Sequence, residues 1–66
     1  MNREATVRSL HSEVEMLSRL HQHGLYNTSG YQARKKRVEE LIQDHDIDVM
    51  TELDPITAIL YRRYLA

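Results

Sequence analysis

Leu17-Ser18-Arg19-Leu20-His21-Gln22-His23-Gly24-Leu25-Tyr26-Asn27-Thr28-Ser29-Gly30-Tyr31 is the stretch whose reading decides the fold. It predicts a helix that stops at His23-Gly24, a short turn, and a second helix that returns. Gly24 takes the left-handed conformation at the residue after a helix cap without a Cβ clash. With Gly24 there, Leu20 and Leu25 become the hydrophobic pair of a Schellman motif. Asn27 is the preferred N-cap of the next helix, because Tyr26 and Tyr31 then form a hydrophobic staple across it. A rival start has Ser29 as cap and Gln32 three residues on, a capping box.

Upstream of the turn, the first helix is expected over about residues 4–23. Val7, Leu10, Val14 and Leu17 recur in steps of three, four and three, the a/d spacing of a seam that packs against another helix. Two heptads are too few for an independent coiled coil, so the seam is expected to pack within a small bundle. Leu20 and Met16 widen it. Downstream, the second helix is expected over about residues 28–45, with Tyr31, Val38, Leu41 and Ile42 on its apolar side. The short turn makes the two helices antiparallel neighbours.

Asp44-His45-Asp46-Ile47-Asp48-Val49 alternates polar and apolar, which a strand can do. Three Asp in five residues disfavour that, and the stretch reads as a loop, with or without a helical turn over residues 49–53. Asp54-Pro55 then reads as an N-cap followed by Pro at the first helical position. A third helix is expected over about residues 55–65, carrying Ile56, Ile59, Leu60 and Tyr64 or Leu65 on one side. It packs across the hairpin or across a second copy. The expected fold is therefore all-α, a single small domain over residues 1–66, in which an antiparallel hairpin and a third helix form a bundle that dimerises.

The residues from Leu17 to Leu41 carry a family resemblance. Leu17, Leu20, Gly24, Leu25, Tyr26, Asn27, Tyr31, Arg34, Lys35 and Val38 follow the order of a leucine-bearing helix end, a Gly, two apolar residues, a cap, an aromatic and a Lys-rich helix. This resembles the short C-terminal (SHOCT-type) helical hairpin over about 25 residues. Asn27 stands where that family usually caps with Thr, and Thr28, Ser29 and Gly30 replace its usual acidic residues. The resemblance implies oligomerisation or protein contact and no chemistry.

Composition bounds the function. A chain of 66 residues buries only about 60% of its unfolded surface. Cysteine is absent, which excludes disulfides, thiolate metal sites and thiol nucleophiles. Self-association is then the main route to more buried surface. The N-terminus is polar, no apolar run approaches membrane length, and a cytoplasmic location is expected by default. Starting at Met1 and ending after 66 residues, the chain is expected to be a stand-alone accessory protein.

Candidate chemistry is sparse. His11, His21, His23 and His45 lack the i, i+4 spacing of a helical metal site. Counting from Asp44, a calcium loop would need Gly where Val49 stands and Glu where Pro55 stands. No metal or other cofactor is expected, and Ser9, Ser12, Ser18 and Ser29 do not suggest a catalytic centre. Nine Lys and Arg oppose ten Asp and Glu, a net charge of −1, which argues against bulk nucleic acid as partner.

The first functional expectation is a non-enzymatic protein-binding regulator or adaptor. It would be a homodimer that also engages an unidentified protein partner. Its apolar faces would be Val7, Leu10, Val14 and Leu17 on the first helix and Ile56, Ile59, Leu60 and Tyr64 on the third. The alternative is a nucleic-acid-binding regulator using Arg34, Lys35 and Arg37 of the basic block at residues 34–37.

Overall fold

The computed structural model describes residues 2–66, and they form an all-helical fold. Helix α1 spans Arg3–Gln22, α2 Ser29–Asp44, α3 Val49–Glu52 and α4 Pro55–Leu60, after which Tyr61–Leu65 continues as a wider, π-helical turn. Twenty residues at 1.5 Å rise make α1 about 30 Å long, which sets the longest dimension of the molecule at 32 Å.

Asn2 opens α1, its side-chain oxygen accepting from the Ala5 N–H at 2.7 Å. The helix ends as the sequence predicts. Gly24 has φ +78°, the Leu25 N–H donates to the Leu20 carbonyl at 2.9 Å, and the Gly24 N–H donates to His21 at 3.0 Å. These are the two hydrogen bonds of a Schellman motif. The α2 start differs from both expected starts. Thr28 is the cap, its hydroxyl accepting from the Tyr31 N–H at 3.2 Å. The shift moves Tyr31 to the third helical position, so the Tyr26–Tyr31 staple across Asn27 does not form. Instead Tyr31 turns into the core, 3% exposed, and the Tyr26 carbonyl accepts from Gln32 Nε2 at 2.6 Å.

Helix α2 runs antiparallel to α1: Tyr31 meets His21, while Arg34 reaches back to Glu13. It ends in a second Schellman motif that has no glycine. Asp46 takes the left-handed position with φ +50°, the Ile47 N–H donates to Ile42 at 2.9 Å, and the Asp46 N–H donates to Gln43 at 3.2 Å. Asp tolerates this conformation better than most residues because its short polar side chain bonds locally.

The acidic stretch resolves into that stop plus one helical turn. Ile47 is buried, Asp48 caps α3, and the Asp48 N–H donates to Glu52 Oε2 at 2.8 Å. Asp54 caps α4 and Pro55 starts it, as expected. The core joins Leu10, Val14 and Leu17 of α1 to Tyr31, Val38 and Leu41 of α2, with Ile47, Leu53, Ala58 and Leu65 closing it from the C-terminal half. No helix among the described residues is long and apolar enough to cross a membrane.

Candidate functional site

Helix α4 buries a threonine and an alanine and exposes its two isoleucines, while Leu60 packs half-buried against the core. Thr57 is 1% exposed and Ala58 5%, whereas Ile56 is 70% exposed and Ile59 58%. Thr57 tolerates burial because Asp54 satisfies it twice: Oδ1 accepts from the Thr57 N–H at 2.8 Å and Oδ2 from its hydroxyl at 3.1 Å. The Thr57 backbone hydrogen bond is also the main reason the Asp54 carboxyl lies below its usual range. This cap fixes the rotation of the helix, and the rotation puts both isoleucines outside.

Beside them lies a shallow groove of about 340 Å³, lined by Met50, Leu53, Pro55, Ala58, Ile59 and Arg62. Met50 is itself 58% exposed. Polar ties hold the groove's α3 wall and the start of α4. The Asp54 N–H lies 3.2 Å from His11 Nε2 on α1, and the Asp54 carboxylate lies 3.6 Å from the same nitrogen. Arg3 donates to the carbonyls of His45 at 2.7 Å and Asp46 at 2.8 Å and grips Glu52 with two nitrogens. The Arg3 hydrogen bond, aided by the Asp48 N–H, lowers the Glu52 carboxyl to about 2.

The residues expected to form interfaces fall into three groups. Leu10, Val14 and Leu17 are fully buried, and the chain's own α2 and C-terminal half cover them. Val7, Leu60 and Tyr64 are half-buried and pack against that core. Ile56 and Ile59 remain on the surface, and Met50, which the sequence did not single out, extends their face.

The basic block disperses around α2. Arg34 pairs with Glu13 at 3.4 Å, Lys35 is half-buried, and Arg37 is exposed. The histidines have separate roles. His21 stacks on Tyr26 with centroids 4.7 Å apart, lies tilted against Tyr64 at 5.3 Å, and shares a 3.3 Å hydrogen bond between Nδ1 and the Tyr31 hydroxyl. It thereby ties the hairpin turn to the C-terminal segment. Among the described residues, no group of three or more His, Asp or Glu is placed to hold a metal ion. No family model matches the chain, and no curated protein or solved structure matches it either.

Proposed function

We propose that this chain is a non-enzymatic protein-binding regulator or adaptor that works as a homodimer through the apolar face of Ile56, Ile59 and Met50. The inversion of α4 carries the reading. A helix that exposes two isoleucines while burying a threonine and an alanine forgoes apolar burial within its own chain. Burying a whole isoleucine side chain contributes about 1.5–3 kcal/mol. A symmetric pair covers four of them, against an association cost of about 4–15 kcal/mol. The two terms nearly cancel, and only the most favourable balance reaches a dissociation constant on the order of micromolar, so the pairing is weak and reversible.

Two further considerations support it. A core this small leaves much of the apolar surface wet, and a second copy covers it without a new sequence. The hairpin's resemblance to the SHOCT-type family points to protein contact as well. A dimer presents any outside protein partner with two copies of each surface, which raises avidity without new contacts.

Methyl NMR on a dilution series tests the reading. The Ile56 and Ile59 signals are expected to move together with concentration, while those of buried Leu10 and Val14 stay still. Isoleucine signals that do not respond up to about 1 mM refute it.

A further inference from the structure

Building on the homodimer reading above, we infer that two copies pair α4 against α4 in antiparallel orientation. Ile56 of each copy sits beside Ile59 of the other, over the groove between α3 and α4.

The shape of the face is self-complementary. Ile56 and Ile59 are three residues apart and form one short ridge on α4. A twofold axis between them maps Ile56 of one copy onto the position facing Ile59 of the other, as an isologous interface requires. Ile59 lines the groove, whereas Ile56 does not and projects beside it. A knob therefore stands next to a recess, and the antiparallel arrangement gives each knob the other copy's recess.

The charges select the orientation. Asp54 stands at the start of α4 with its carboxylate half-exposed, Glu52 before it is held by Arg3 of its own chain, and Arg62 and Arg63 follow the end of α4. Both arginines are exposed, and neither has an acidic partner at ion-pair distance among the described residues. Antiparallel pairing lays each basic end along the other copy's acidic end, and the two helix dipoles also oppose favourably. Parallel pairing would set acid on acid and base on base.

Size fixes the expected strength. A standard interface covers about 800 Å² per partner, roughly a sixth of this chain's 4565 Å². The segment from Pro55 to Leu65 is about 16 Å long and offers less than that. The pair is therefore a weak, concentration-dependent one.

The chain has no cysteine, so cross-links can be placed at will. Ile56→Cys and Ile59→Cys, both at exposed positions and made with different isotopic masses, are mixed in equal amounts and treated with oxidised glutathione. Each cross-link removes two thiol hydrogens and reduces one glutathione disulfide. The mixed product is expected to exceed its statistical share, because antiparallel pairing brings those two positions within reach of a disulfide.

A second arm uses the unmodified chain. Its dimerisation is expected to weaken several-fold between about 50 and about 500 mM NaCl, since screening removes the end-to-end attraction. Mostly like-with-like cross-links, a merely statistical mixture, or association that strengthens with salt overturns the antiparallel arrangement and leaves the homodimer reading standing. A chain that shows no concentration-dependent mass removes both.

Discussion

Gly24→Ala tests the hairpin stop from which the fold is built. A Cβ at Gly24 would meet no atom of the described residues within 4 Å, so the substitution costs nothing in their packing. What remains is conformational. An alanine held at φ +78° costs about 1–2 kcal/mol, and the stiffer unfolded chain offsets about 0.4–1 kcal/mol of that. The net loss is about 1 kcal/mol, which for a domain of this size lowers Tm by roughly 4–8 °C. Thermal unfolding followed by circular dichroism at fixed protein concentration measures it. A raised Tm would show that Gly24 is not left-handed in solution. A loss above about 3 kcal/mol would show that the turn is crowded after all. Either result breaks the reasoning.

Three other outcomes follow from the same geometry. Asp46→Gly, at the other left-handed stop, is expected to raise stability by no more than about 0.5 kcal/mol in the same melts, because the freer unfolded chain offsets most of the backbone relief, and a loss above about 1 kcal/mol would refute it. The Ser18 hydroxyl is buried with no hydrogen-bond partner among the described residues, so Ser18→Ala is expected to stabilise α1 by about 1–2 kcal/mol; denaturant titration decides, and a loss means the hydroxyl is satisfied. Glu52 is depressed from 4.5 to about 2 chiefly by Arg3, so its contribution is complete above pH 4.5 and disappears as pH falls through 2. The stability gap between the chain and Glu52→Gln is therefore expected to be widest above pH 4.5 and to close by pH 2, and a gap independent of pH would count against the Arg3 clasp.

Local signals in the sequence carry much of this fold. Gly24 with Leu20 and Leu25 marks one helix end, and Asp54-Pro55 marks a helix start, because both depend on neighbouring residues alone. The cap at Thr28 rather than Asn27 was harder to read, since Asn27, Thr28 and Ser29 all accept hydrogen bonds from a helix start. The choice among them is made by Tyr31, which must face the core two turns before Val38. The stop at Asp46 carries no glycine, and only its burial of Ile47 explains the alternation that resembles a strand.

The exposed face was legible only in part. Ile56 and Ile59 are visible as apolar positions, but so are Leu10, Val14 and Leu17. Which set turns inward depends on how the last segment lies across α1, a long-range matter. One local clue existed: Thr57 stands three residues after Asp54, where an N-cap carboxylate reaches it. That bond lets the threonine be buried and turns the isoleucines out. Arg3 bridging to Glu52 and the α2 end, by contrast, joins residues more than forty positions apart and left no sequence signal.

Sedimentation equilibrium of the chain beside an Ile56→Lys/Ile59→Lys variant, each with its circular dichroism spectrum, tests the central claim most directly. Both substitutions fall on exposed positions, so the variant is expected to keep its fold within about 0.5 kcal/mol. The unaltered chain is expected to move from its 7.8 kDa monomer mass toward twice that as concentration rises, while the folded variant stays at the monomer mass. A chain that remains monomeric throughout, or a folded variant that dimerises as well as the chain does, would contradict the assignment of the α4 face as the site of pairing.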